Sequence, residues 1–118
     1  MTGEVGYRAG LAAEDQVAAR YERIGCAIAA RRWRGSGGEI DIVVRDGDSI
    51  VFVEVKKSRT FAGAAERLSR RQMERICATA SEFIAREPRG QATEVRFDVA
   101  LVDAAGRIDI VENAFGQF

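Results

Sequence analysis

Histidine is missing altogether from the 118 residues, proline occurs once and cysteine twice. Without imidazole the chain can build no histidine-activated nucleophile, no histidine zinc site and no imidazole general base; carboxylates and lysine remain as acid–base candidates. Cys26 and Cys77 stand far apart in apolar surroundings and read as two small buried side chains in a reducing compartment, not as a disulfide. No run of about 18 apolar residues is present, so no membrane-spanning helix is expected. The first residues, MTGEVGYRAG, lack the basic-then-apolar order of a secretion signal, and the expectation is a cytoplasmic protein. Net charge is absent too: 18 Lys and Arg balance 18 Asp and Glu. A nucleic-acid partner would therefore have to be held by local clusters of charge.

What is present is the composition of a folded domain, 47% hydrophobic and 31% charged, at a length that fits one unit (1–118) with its own core. Residues 1–8 are punctuated by glycine and read as a loose N-terminus. From about Ala9 to Ile24 the spacing is helical, with Leu11, Val17, Ala18, Tyr21 and Ile24 on one stripe and Gly25 as the stop. CAIAARRWR (26–34) reads as a strand and GSGG (35–38) as a flexible loop. Two strands follow at about 39–45 and 49–56, joined by a tight turn at Asp46-Gly47. Residues 57–68 lack an apolar period and read as a mobile loop. Ser69 and Gln72 have capping-box spacing before a second helix carrying Met73, Ile76, Ala80, Phe83 and Ile84, closed by Pro88 and Gly90. VRFDVALVD (95–103) and IDIVE (108–112) are the last strands. The predicted order is α-β-β-β-α-β-β.

The stretch GEIDIVVRDGDSIVFVEVKK (38–57) places Glu39, Asp41, Glu54 and Lys56 inside an otherwise apolar, β-branched hairpin. With a turn at Asp46-Gly47, Arg45 pairs with Asp48, Asp41 lies opposite Phe52 and Glu39 opposite Glu54. All four charges then share one surface, with Asp41 diagonal to Glu54 at roughly 7–8 Å. Crowded carboxylates must bind a proton or a cation. Mg²⁺ suits such oxygen donors, and the Val55 backbone carbonyl could add another. Lys56 is placed to hold a water or a phosphate oxygen beside the metal. Glu14 falls on the apolar stripe of the first helix, so it needs an inward partner, and the hairpin's charged surface offers one. The plainer reading, a solvated face of an antiparallel hairpin, also stands at this point.

An acid followed on the next strand by Glu-x-Lys, here Asp41 and Glu54-Val55-Lys56, resembles the PD-(D/E)xK nuclease superfamily. The ordered blocks GLAAEDQVAARY, RWR…GGEIDIV, VFVEVKKSR, RRQMERI, RFDVALV and NAF, over about residues 9–115, resemble the small bacterial YraN family of predicted endonucleases, related to archaeal Holliday-junction resolvases. That resemblance implies an α/β, restriction-endonuclease-like domain with a mixed central sheet flanked by helices. It implies Mg²⁺ or Mn²⁺ as cofactor, with Asp41 and Glu54 as ligands and Lys56 positioning the attacking water. Glu14 would match the acid such proteins place on the first helix, and Gln72 the polar residue the second helix turns toward the site. The superfamily's proline before its aspartate is Ile40 here, and an asparagine usual two residues before Arg34 is Arg32.

Gln72 has a second reading, as the residue that completes the capping box with Ser69. Arg31, Arg32 and Arg34, with Lys57, Arg59, Arg67, Arg70 and Arg71, flank the acids in sequence and are candidates for phosphate contacts. Trp33 either stacks on a base or anchors its strand to the core. Asp98 reads as a structural hydrogen-bond or ion-pair partner. The function this favours is a metal-dependent endonuclease acting on DNA, branched DNA included, with a homodimer implied if two strands are cut. The alternatives are a non-catalytic or partner-dependent nucleic-acid-binding module of the same fold, and an adaptor whose carboxylate face binds a basic partner.

Overall fold

The structure, a computed structural model, describes the backbone of residues 2–115 and the side chains of residues 12–115. In chain order it contains α1 (Thr2–Arg23), β1 (Ala27–Gly35), β2 (Gly38–Asp46), β3 (Ser49–Lys57), α2 (Phe61–Glu66), α3 (Arg70–Ile84), a 3-10 turn (Gly90–Ala92), β4 (Val95–Val102) and β5 (Ile108–Val111). The strands form one sheet in the order β1-β2-β3-β4-β5. Its neighbours are antiparallel except β3 and β4, which run parallel and are joined through α2 and α3. The domain is thus α/β, a mixed sheet flanked by helices, in the predicted order with α2 added.

β3 lies in the middle of the sheet, covered on both sides, and for that reason reads as a nearly unbroken apolar run. Val51 and Val53 face α1 with Ile42, Val44, Ala13, Val17 and Tyr21. Ile50 and Phe52 face α3 with Val43, Ile76, Ala80 and Ile84. Each buried Val, Ile or Phe side chain among these contributes about 1.5–3 kcal/mol on burial. Trp33 belongs to the α3 side, edge-on to Phe83 at 5.2 Å, so it anchors its strand. Asp98, almost fully buried, accepts from the Tyr21 hydroxyl at 2.7 Å, from Arg96 through two bonds at 2.8 Å and from the Asn113 N–H at 3.1 Å. It is a structural tie between α1, β4 and the chain after β5. Cys26 and Cys77 are free thiols, both half-buried.

Several local expectations are corrected. α1 starts at Thr2, two turns before Ala9; glycines at 3, 6 and 10 raise the cost of a helix without forbidding it. The Met1 part of the expected loose N-terminus, and the Leu11 side chain, lie outside the described residues. Ile24 is 68% exposed, not part of the stripe, because the chain leaves the helix there. Gly25, at φ +96°, ends α1 with paired bonds from Gly25 N to Glu22 O and from Cys26 N to Tyr21 O, a Schellman stop. The 57–68 segment is not simply a loop: Thr60 caps α2 by accepting from the Gly63 N–H. Ala64, fully buried, fastens that helix to the core.

The GSGG segment is not a flexible loop either. It is the tip of the β1–β2 hairpin, pinned against α3. A Cβ on Gly37 would lie 2.4 Å from the Arg75 carbonyl oxygen, and one on Gly35 2.8 Å from Thr79. Glu82 accepts from the Ser36 N–H at 3.0 Å and from its hydroxyl, and Thr79 donates to the Gly38 carbonyl at 3.3 Å. Glycine is present here for close approach.

Candidate metal centre

The β2–β3 hairpin turns one residue later than the sequence suggested. Asp46 pairs with Ser49 and Arg45 with Ile50, so Gly47-Asp48 is the loop, with Gly47 at φ +61°. Glycine as the first of two loop residues fits the primed turns that match strand twist. Every expected pair is thereby displaced by two residues, and a two-residue displacement preserves which face each side chain takes. Asp41 is brought level with Glu54 instead of diagonal to it.

The ladder between β2 and β3 stops at Ile42↔Val53. Its next rung would pair Ile40 with Val55, but the Val55 N–H donates to Asp41 Oδ2 at 2.8 Å. Ile40 has also changed sides, packing toward α3 while Ile42 packs toward α1, which residues two apart in a regular strand do not do. The strands part at Asp41, and the acid fills the gap. A strand residue directs its N–H and C=O toward the same neighbour. The Val55 carbonyl therefore faces the gap that Asp41 occupies.

Glu54 enters from the α3 side and is buried, with 6% of its surface exposed. Its Oε2 accepts from Gln72 Nε2 at 2.8 Å and pairs with Lys56 Nζ at 3.0 Å. Its Oε1 is buried and receives no donor among the described residues. Within hydrogen-bonding reach of Glu54 is the Asp41 carboxylate, which has no proton to give when ionised. Burial, then the charge of Asp41, pushes Glu54 up to about 8 against the opposing pull of Lys56. Burial also raises Asp41, against the Val55 N–H and the nearby Glu54, Lys56 and Arg32. Two acids in this position are joined by a shared proton or by a cation.

Gln72 fulfils both readings of its position. Its N–H donates to Ser69 Oγ at 3.1 Å, capping α3, while its side chain turns to Glu54. Beside it a cavity of about 190 Å³ opens, lined by Gly37, Gly38, Glu39, Gln72, Arg75 and Ile76.

Glu14 approaches from the other side of the sheet, on α1, with 7% exposed. It does not join the acid pair. Arg32 Nε and Nη2 grip its two oxygens at 3.1 and 3.2 Å, and Arg31 stands 3.9 Å away. Burial and then Asp41 raise its pKa, and Arg32 opposes them. Among the described residues no three acidic, cysteine or histidine side chains are grouped to hold a metal. Glu39 is turned to Arg34 at 3.1 Å and to Arg32 at 3.7 Å. The shared surface expected of four charges is therefore a narrower convergence of Asp41, Glu54, Lys56 and Gln72.

The basic candidates fall into two groups. Arg31, Arg32 and Arg34 on β1 are paired with acids, Arg31 with Asp15 at 2.8 Å. Lys57, Arg59, Arg67, Arg70 and Arg71 are exposed along the end of β3, α2 and the first turn of α3. Sequence reasoning missed the pinned hairpin tip and the backbone of Arg32, at φ +50°. The glycine run marked the tip, but nothing local marked Arg32.

No helix among the described residues is long and apolar enough to cross a membrane. The chain is 63% identical over 115 residues to a UPF0102 protein of Cereibacter sphaeroides strain ATCC 17029, covering 98% of each. It is 60% identical over 115 residues to one of Ruegeria pomeroyi, covering 98% of this chain and 94% of that one. With one of Dinoroseobacter shibae it shares 49% over 104 residues, 88% of this chain and 78% of the other. The family profile described as uncharacterised protein family UPF0102 matches residues 13–102. A helix, a hairpin with parted strands and a crossover back to the sheet all lie inside that match, and the chain belongs to uncharacterised protein family UPF0102.

Proposed function

We propose that the protein is a Mg²⁺- or Mn²⁺-dependent endonuclease of the PD-(D/E)xK type, hydrolysing phosphodiester bonds of DNA. The observation that carries this reading is the orphaned Glu54 Oε1, buried against a second carboxylate, Asp41, at a gap between strands. That vacant acceptor, the Asp41 carboxylate and the Val55 carbonyl are all hard oxygen donors, which fits a small divalent cation. Asp41, Glu54 and Val55 would hold it. When bound, the metal would lower the pKa of water and neutralise charge on the phosphate.

The chain's own residues supply the remainder. Lys56, fixed by Glu54 at 3.0 Å, presents a cation beside the acids and can hold a water or a phosphate oxygen in line. Gln72 fixes the rotamer of Glu54 from α3, so the ligand is held before substrate arrives. Lys57, Arg59, Arg67, Arg70 and Arg71 offset the repulsion between the acids and a phosphate backbone. A cut in each strand of a branched substrate would call for two copies of the chain, which sedimentation with and without DNA checks.

Incubation with single-stranded, duplex, flap and four-way DNA in Mn²⁺ tests the reading. Cleavage by the wild type, lost in Glu54→Gln, is expected. Binding without cleavage would assign a nucleic-acid-binding module of the same fold. Neither binding nor cleavage would end the nucleic-acid reading.

A further inference from the structure

Resting on the nuclease reading above, we propose that the cavity between the β1–β2 hairpin tip and α3 carries the DNA strand that is cut, and that Arg75 holds one of its phosphates there.

The helix face is the first observation. One stripe of α3 presents Gln72, Arg75, Thr79 and Glu82, each three or four residues from the last. All but Arg75 are engaged. Gln72 donates to Glu54 at 2.8 Å, Thr79 donates to the Gly38 carbonyl at 3.3 Å, and Glu82 accepts from the Ser36 N–H at 3.0 Å. Arg75 is exposed, and its side chain makes neither an ion pair nor a hydrogen bond among the described residues. Its backbone, by contrast, is held in place, because the Arg75 carbonyl seats on Gly37, where a Cβ would come to 2.4 Å. A guanidinium on a fixed stem is thus left available to a ligand.

The space beside it is the second. The cavity of about 190 Å³ has Gln72, Arg75 and Ile76 on one wall and Gly37, Gly38 and Glu39 on the other. Gln72 belongs both to this wall and to the acid pair, so a chain lying in the cavity continues into the reaction centre. The volume falls below the roughly 300–1,000 Å³ of pockets that enclose a whole small ligand, which fits a piece of a longer chain. A Cβ on Gly38 would meet nothing within 4 Å, so bare backbone borders open space there and a ligand can come close. Glu39, the acid on that wall, is turned to Arg34 at 3.1 Å, so its charge is offset without Arg75.

A planar, weakly hydrated guanidinium suits two oxygens of a phosphate. Gln72 stands between Arg75 and Glu54, one helical step of about 5–6 Å from Arg75 at the Cβ atoms. Arg75 is therefore placed for a phosphate neighbouring the one attacked, while the attacked phosphate lies with Lys56 and the acids. The competing view makes Arg75 one more solvated charge, contributing no more to DNA binding than a cation elsewhere on the surface.

The test uses the full chain and a fluorescent duplex, with Ca²⁺ in place of Mn²⁺, and reads anisotropy over a salt series. Arg75→Ala is expected to weaken binding about tenfold and to lower the salt slope by about one. Arg75→Lys, which keeps the charge without the fork, should keep the slope. Arg23→Ala, at the end of α1 on the opposite face of the sheet, should cost less than about twofold, its charge being screened at that distance. A single methylphosphonate, which removes one phosphate charge, is then moved along the strand. One position should weaken the wild type about tenfold and Arg75→Ala no further, since the pair it breaks is already lost. Equal urea midpoints confirm that the variants are folded. Unchanged affinity and slope in Arg75→Ala would overturn the assignment, as would a loss that adds to that of every methylphosphonate. A wild type that binds no DNA refutes the nuclease reading itself; one that binds, with Arg75→Ala unaffected, refutes this inference alone.

Discussion

Glu54→Gln should make the metal-free protein more stable, by an amount that grows with pH. In the fold, burial and the Asp41 charge move Glu54 from its ordinary 4.5 up to about 8. Between those values the folded state keeps a proton that the unfolded chain has released. The folded state then binds more protons, so stability is full below the unfolded pKa and falls as pH rises toward the folded one, at about 1.4 kcal/mol per unit. Between about pH 5 and pH 7 this one group takes away roughly 3 kcal/mol. Asp41 and Glu14, also raised, add to the same trend. Glutamine carries no such charge, and its amide can donate toward Asp41 from the place where Glu54 Oε1 receives no donor. Loss of the 3.0 Å Lys56 contact subtracts from the gain. Urea titrations of both proteins in a chelator should show a stability gap widening by roughly 2–3 kcal/mol over that range. Mn²⁺ should reverse it: at about a hundredfold excess over Kd, binding adds about 3 kcal/mol to the wild type alone. A gap that stays flat with pH, or closes, would refute the account of the buried acid pair.

Lys56→Met should abolish turnover, yet calorimetry should find Mn²⁺ binding kept or tightened, because a competing cation beside Glu54 is gone. Gly37→Ala should cost about 2–4 kcal/mol in thermal or urea unfolding, since its Cβ meets the Arg75 carbonyl at 2.4 Å and backbone must move; a fully stable variant would show that the hairpin tip does not seat on α3. Lys57→Ala with Arg71→Ala should weaken DNA binding about equally for all sequences, whereas a loss confined to one sequence would indicate base readout.

The sequence by itself determined the order of the strands and of the two long helices, and the two-sided burial of β3, because apolar period and turn residues are local properties; the short α2 was not among them. It also singled out Asp41, Glu54 and Lys56, since charges inside a buried apolar run need a partner wherever they land; Gln72 came from its capping-box spacing and from the family resemblance. A one-residue error in the turn left the faces intact, the side-chain period being two. The tertiary structure decided what depends on distant neighbours. Glu14 looked like a fourth acid of the pair by its helical stripe, but the kink at Arg32 brings a guanidinium to it first. GSGG read as flexible because glycine is permissive, and only the packing of α3 shows the glycines holding a close contact. The parting of β2 and β3 at Asp41 was invisible for the same reason: where a ladder stops depends on what a side chain can accept from the opposite strand, here the Val55 N–H.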